Sequence, residues 1–250
     1  METEWNYTEL AKAYVKRPDY ADAAIDAMLN IVGNRNANNV CDIGSGVAHL
    51  TLMLAKRGLS VTAVEPNDAM RTIGMERTKG MKNVRWHEGT GEDNGQPDQA
   101  FDAVTFGSSF NVCDRTRALK ETARILKPLG WVACMWNHRY LEDPIQLQIE
   151  TIIKSYVPEY DYGVRREDQT TIIDKSGLFD SVIGLTARIV HEQTVDECVE
   201  AWCSHATLAR QSGSSLTAVI QDIKDYVEGL NAKVIQVPYS TKIWMARLIS

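Results

Sequence analysis

The segment Asp42-Ile43-Gly44-Ser45-Gly46 holds the residue types and spacing best able to do chemistry in this chain. It closes a short apolar run, Val40 to Ile43, and Glu65 stands 19 positions beyond Gly46 at the end of the alternating run Ser60 to Glu65. Two glycines at the end of a strand let a ligand approach the backbone, and a carboxylate at the end of the next strand can grip the two hydroxyls of a ribose. The pattern is that of a nucleoside site.

Charge narrows the nucleoside. A dinucleotide brings its pyrophosphate to this turn, against the amino terminus of the following helix, and Asp42, two residues before the first glycine, would oppose that anion. S-adenosyl-L-methionine brings an α-ammonium and a sulfonium, which an acidic strand end favours. The third glycine of the dinucleotide fingerprint is also missing, with His49 in its place. The expected cofactor is therefore S-adenosyl-L-methionine, and NAD(P)-dependent reduction is the weakest alternative.

These residues need a frame, and the chain alternates strand and helix patterns as a parallel sheet requires. Tyr20 to Ile31 has helical apolar spacing and leads through a polar loop, Gly33 to Asn39, into Val40 to Ile43. The pattern continues with a helix over His49 to Arg57, a strand over Ser60 to Glu65 and a helix capped by Asn67 or Asp68 that runs to Lys79. Strands follow at Val84 to His87 and Ala103 to Phe106, a helix at Arg115 to Leu126, a turn at Lys127 to Gly130 and a strand at Trp131 to Trp136. Beyond this the rhythm changes: Asp143 to Tyr156 and Val195 to Arg210 read as helices, and Ile183 to Val190 and Ser240 to Leu248 as late strands able to pair antiparallel at one edge. The expected fold is α/β, a Rossmann-like doubly wound sheet of seven strands, mostly parallel with an antiparallel edge pair, carrying an inserted helical cap.

Composition excludes other classes. At 250 residues with 44% hydrophobic and 24% charged positions, the chain can bury a core as one domain, and disordered or fibrous classes are out. A formal charge of -6 is the wrong sign for nucleic acid as the main ligand, and no apolar run approaches the roughly 20 residues of a membrane-spanning helix. The five cysteines form no CxxC pair, so no metal site is expected. The amino terminus lacks the pattern of a secretory signal, from which a cytoplasmic protein is expected.

Taken together, Tyr14-Val15-Lys16-Arg17-Pro18-Asp19-Tyr20, Val40 to Gly46, Val64-Glu65-Pro66-Asn67, Gly89-Thr90-Gly91-Glu92-Asp93, Phe101-Asp102-Ala103-Val104, Ala123 to Pro128 and Trp136-Asn137 resemble the class I S-adenosylmethionine-dependent methyltransferases. The likeness is to the small bacterial group that includes the ubiquinone-biosynthesis and trans-aconitate enzymes. It implies a single domain over 1–250, with a lid and first helix over 1–39, a cofactor-binding core over 40–137, and an acceptor-side cap from 138–182 and 194–235. It implies that Asp42, Gly44 and Gly46 line the methionine portion and that Glu65 binds both ribose hydroxyls. Asn67 and Met70 would flank the adenine, Gly91 and Glu92 would meet its edge, and Gly107 and Ser108 would lie beneath the cofactor. Tyr14 and Arg17 would close over the methionine end, with Arg17 pairing with its carboxylate. Where relatives carry aromatics and a histidine after the fourth strand, this chain reads Ser109 to Asp114, so the acceptor side is expected to differ.

The expected partner is a small-molecule acceptor, with the chain a monomer or homodimer. Candidate catalytic groups are Asn137, His138 and Tyr14, with Arg139, Tyr156, Tyr160 and Tyr162 near the same edge. Arg165-Arg166 could bind an anionic acceptor, and the tyrosine-rich stretch could equally stack on a cationic one. Trp202 and His205 face the same choice between core and site. Two other readings stay open: cyclisation or cleavage of the cofactor's aminobutyrate arm with release of methylthioadenosine, and a non-catalytic cofactor-binding module.

Overall fold

The computed structural model describes residues 11–33, 39–203 and 205–249. Most of the expected polar loop before the first strand, and the side chain of Arg165, lie outside the described residues. The described residues open with a short helix, α1 (Ala11–Tyr14), followed by α2 (Asp22–Val32). Ala24, Ile25, Met28 and Leu29 share the buried face of α2, and Gly33, at φ +94°, ends it by returning its N–H to the Leu29 carbonyl. Then come β1 (Asn39–Ile43), α3 (His49–Lys56), β2 (Ser60–Val64), α4 (Asp68–Arg77), β3 (Val84–His87) and β4 (Phe101–Gly107). Next, α5 (Arg115–Ile125) leads into β5 (Leu126–Arg139). The Asp114 carboxylate accepts the amides of Thr116 and Arg117 and so starts α5.

The sheet runs in the order β3-β2-β1-β4-β5-β7-β6. The first five strands are mutually parallel, while β7 (Ile235–Arg247) lies antiparallel between β5 and β6 (Ile183–Gln193). Both faces are covered. Residues of α2 and α3, among them Ile25, Met28 and Leu54, pack with Val40, Val61 and Met135 on one face. On the other face Leu119 and Ile125 of α5 pack with Phe106, Trp136 and Trp244. Burial on both faces explains why the central strands β1 and β4 read as short apolar runs rather than as alternations.

β5 is longer than its sequence suggests. Leu126 already pairs with Phe101, Lys127 to Gly130 bulge out, and pairing resumes at Trp131 with Ala103. The strand then continues past Trp136 because β7 pairs with it as far as Arg139 opposite Tyr239. Asn137 and His138, expected in the loop after the strand, therefore lie within it.

The remaining helices are α6 (Pro144–Tyr156), α7 (Thr170–Lys175), α8 (Val195–Cys203), α9 (Ala206–Ser212) and α10 (Leu216–Gly229). A separate apolar cluster joins α6, α8, α9 and α10 through Ile149, Ile153, Trp202, Leu208, Val219 and Ile223, together with Val237 and Tyr239 of β7. The single helix expected over Val195 to Arg210 is two, since His205 accepts the Leu208 amide and starts α9. Ile173 of α7 and the nearby Phe179 pack instead into the sheet's own core beside Trp244. The stretch 138–182 is thus divided between the helical cluster and the sheet. Among the described residues, no helix is long and apolar enough to cross a membrane.

Candidate functional site

The strand order reverses between β1 and β4, which leaves a crevice at their carboxyl ends. A cavity of about 880 Å³ opens there. Tyr14, Arg17, Asp42, Gly44, Gly46, Glu65, Asn67, Met70, Gly91, Glu92, Gly107, Ser108, Asn137 and His138 all line it. They come from segments more than a hundred residues apart and meet because they stand at the carboxyl ends of strands, in the loops and helix start that follow them, or in the strap before α2.

The turn after β1 has two glycines with different roles. Gly44 sits at φ +66°, and a Cβ there would lie 2.4 Å from the Ser109 Cβ, so neighbouring backbone segments require its bareness. Gly46, at φ +54°, has nothing within 4 Å of such a Cβ, and the open space belongs to the cavity. Gly91 is bare for packing as well, since a Cβ would meet the Cys113 Sγ at 2.6 Å.

Glu65 is 7% exposed. Its Oε2 accepts the Gly46 amide at 2.8 Å and its Oε1 the Asn67 amide at 2.9 Å. Burial raises its pKa, and the two amides pull it back. Each oxygen keeps a further lone pair, so the carboxylate can still take a vicinal diol.

Asp42 sits otherwise than its charge suggested. It is fully buried, and its oxygens accept from the Thr51 hydroxyl at 2.6 Å and the Thr105 hydroxyl at 3.0 Å. Burial raises its pKa to about 6 against the opposing pull of these hydroxyls. The carboxylate acts first as a tie between β1, α3 and β4; towards the cavity it contributes a field.

The strap before α2 is held by groups that sequence reasoning gave no such role. His49, in place of the third glycine, has Nδ1 2.6 Å from Asp19 Oδ1 and Nε2 2.8 Å from the Tyr14 carbonyl. The Asn137 amide donates to the carbonyls of Pro18 at 3.2 Å and Asp19 at 2.8 Å, while its Oδ1 accepts from Thr241 Oγ1. Asn137 is thereby committed as a clasp between strap and sheet. The Arg17 guanidinium lies 3.6 Å from the Tyr14 ring centroid. Tyr20 Oη and Ser108 Oγ are 3.0 Å apart beneath the end of β4, and Ser108 itself sits at φ +62°.

His138 is 7% exposed on the cavity wall. Beside it come Arg139, Tyr162, Arg166, Gln193, His205 and Tyr239, of which Gln193 and Tyr239 carried no sequence signal. Tyr160 is buried in the helical cluster, and the exposed Tyr156 donates to Asp222. The Cys113 thiol, also on the wall, is pushed up to about 12 by burial and, next, by Glu92, which leaves it protonated and unreactive at neutral pH.

A reversed-order sheet with a glycine turn after β1 and an acid after β2 is the frame of a nucleoside site. Residues 41–134 match the family model described as "Methyltransferase domain". An uncharacterized methyltransferase of Mycobacterium tuberculosis (strain H37Rv) is 28% identical over 222 residues, covering 81% of this chain and 87% of the relative. In fold, the chain is similar to a candidate type II methyltransferase of Anaeromyxobacter dehalogenans, with TM-score 0.62 and 17% identity over 93% and 98% of the two chains. It is likewise similar to a phosphoethanolamine N-methyltransferase of Haemonchus contortus in complex with S-adenosyl-L-methionine, with TM-score 0.57 and 15% identity over 100% of this chain and 59% of the other. Over residues 41–134 the chain is thus similar to methyltransferase domains, and over most of its length it shares the fold of solved methyltransferases.

Proposed function

We propose that the chain transfers a methyl group from S-adenosyl-L-methionine to a small-molecule acceptor. The observation that carries this reading is the single cavity joining the Gly46–Glu65 turn to the wall formed by β5, β7 and the helical cluster. When bound, the cofactor supplies a methyl carbon on a cationic sulfur, so that the bond from acceptor to carbon forms as the carbon–sulfur bond breaks and sulfur keeps the electron pair.

The protein's work is then to hold two molecules in line and exclude water. Glu65 would hold the ribose, with Asn67, Met70, Gly91 and Glu92 around the base. Gly44 and Gly46 give the backbone approach, and Asp42 adds a negative field beneath it. Tyr14 and Arg17, on the strap pinned by His49 and Asn137, would cover the methionine end. Asn137 acts as a positioning residue, since its amide is occupied with the strap. The His138 imidazole is the wall group suited to take a proton from an acceptor that carries one. A lid and first helix over 1–39, a cofactor core over 40–137 and an acceptor-side cap from 138–182 and 194–235 complete the proposed organisation, although Ile173 and Phe179 pack into the sheet's core.

The test is incubation with methyl-labelled S-adenosyl-L-methionine and a metabolite extract. Label should pass to a small molecule with equal formation of S-adenosylhomocysteine. Loss of the cofactor as methylthioadenosine, with no S-adenosylhomocysteine, would overturn the reading.

A further inference from the structure

Arg139 closes β5, and Arg166 ends the turn before α7; both line the cavity. Arg166 Nη2 donates to the Arg139 carbonyl at 2.7 Å, which sets the two cationic residues side by side. The Arg139 guanidinium lies 3.9 Å from the Trp202 ring centroid, and its Nε donates to Tyr239 Oη at 3.2 Å. The Arg166 guanidinium lies 4.5 Å from the Tyr162 centroid. Among the described residues, no carboxylate forms an ion pair with either. Glu150, the acid whose field reaches Arg166, is itself 2.6 Å from Lys154 Nζ.

Two neighbouring, half-buried cations without an anion are costly, because each loses hydration and repels the other. For Arg166, burial lowers the pKa most and the Arg139 charge adds to that, against the pull of Tyr162 and Glu150, whereas for Arg139 burial is outweighed by Tyr239 and Cys198 and its pKa is raised. The aromatic faces offset part of that cost but carry no full negative charge. A second, independent observation lies on the same wall. Gln193 is 2% exposed, lines the cavity, and has an Oε1 with no hydrogen-bond partner. A buried acceptor left in this way costs about 1–3 kcal/mol, and it is closed to the cavity until the side chain turns.

We propose that the acceptor is a small organic anion, whose carboxylate or phosphate oxygens are taken by Arg139 and Arg166. This rests on the methyltransferase reading of the cavity and adds the chemical class of its second ligand. A cationic acceptor is disfavoured by the same geometry, because the ring faces of Trp202 and Tyr162 are already occupied by the protein's own guanidinium groups.

The experiment is calorimetric titration of the S-adenosylhomocysteine-loaded protein with matched probes: benzoate, phenyl phosphate, neutral benzamide and cationic benzamidinium. Benzoate or phenyl phosphate should bind at least about tenfold more tightly than benzamide, and benzamidinium more weakly than either, since a charge-assisted pair is worth about 1.5–3 kcal/mol. Comparison of the two anions separates carboxylate from phosphate. Arg166→Gln and Arg139→Gln should each remove that preference while S-adenosylhomocysteine affinity and the melting midpoint hold. Arg166→Gln, which leaves the Trp202 stack untouched, keeps the test open if Arg139→Gln unfolds. No anion binding more tightly than its neutral isostere, or a preference that survives Arg166→Gln, would overturn the proposal. So would loss of S-adenosylhomocysteine affinity in Arg166→Gln, which would assign the pair to the cofactor's own carboxylate. Failure of the unsubstituted protein to bind S-adenosylhomocysteine would instead sink the methyltransferase reading beneath it.

Discussion

The Gly46 amide donates to Glu65 Oε2 at 2.8 Å, so the turn after β1 is fastened to the acid that follows β2. The bond couples the shape of the glycine turn to the carboxylate that would receive a ribose. It also sets the orientation of Glu65 in the absence of any ligand, since Asn67 holds the other oxygen.

Glu65→Ala should therefore act twice, removing the diol's acceptor and releasing the turn. S-adenosylhomocysteine affinity should fall at least about tenfold, in line with the 1.5–3 kcal/mol of a charge-assisted hydrogen bond. Calorimetry measures this, and affinity within twofold of the unsubstituted protein would contradict the assignment.

The two glycines of the turn should separate experimentally. Gly46→Ala has room for its methyl and should lose only about 1–2 kcal/mol of stability to its left-handed backbone, yet bind the cofactor much more weakly because the methyl enters the cavity. Gly44→Ala should lose several kcal/mol, and Gly44→Ala/Ser109→Gly should recover only part of it, since the left-handed cost of about 1–2 kcal/mol remains and the Ser109 hydroxyl's hydrogen bond to the Ile43 carbonyl is lost. Denaturant unfolding of the four proteins tests both statements.

Asp42 predicts a pH dependence of stability. Its folded-state pKa of about 6 lies above the ordinary carboxylate value, so the folded protein binds the proton more tightly than the unfolded chain. The contribution from this group is present below the ordinary value and is lost as pH rises through about 6. Asp42→Asn removes the titration. Relative to the unsubstituted protein, it should be more stable at pH 8 than at pH 4 by on the order of 3 kcal/mol, at about 1.4 kcal/mol per unit. Urea unfolding across that range checks this, and a difference that does not change with pH would count against it.

His49→Ala should free the strap at both of its anchors, Asp19 and the Tyr14 carbonyl. Trypsin cleavage after Lys16 should accelerate, and the cofactor should dissociate faster, while the global melting midpoint moves little. Asn137→Ala should give the same pair of changes, through loss of the clasp on Pro18 and Asp19. An unchanged cleavage rate in both variants would show that other contacts hold the strap.

The cofactor half of the site was legible in the sequence because it is local. A strand, a tight turn and a helix start within ten residues fix Gly44 and Gly46, and the next strand end fixes Glu65; period and spacing are enough for that. The length of β5 was hidden, because pairing with β7 from a hundred residues further on keeps Asn137 to Arg139 in the sheet. Asn137 could look like a catalytic group until that pairing aimed its amide at the strap.

What the sequence alone determined was the order of strands and helices, the nucleoside turn and the acidic strand end. Tertiary structure decided what those charges face. Asp42 meets two hydroxyls because Thr51 and Thr105 arrive from α3 and β4, and Arg139, Arg166 and Gln193 share one wall only once β5, β6 and the turn before α7 converge. The reason is physical: turn geometry and strand period depend on neighbours in the chain, whereas the field and hydrogen bonding of a buried polar group depend on whatever packing brings beside it.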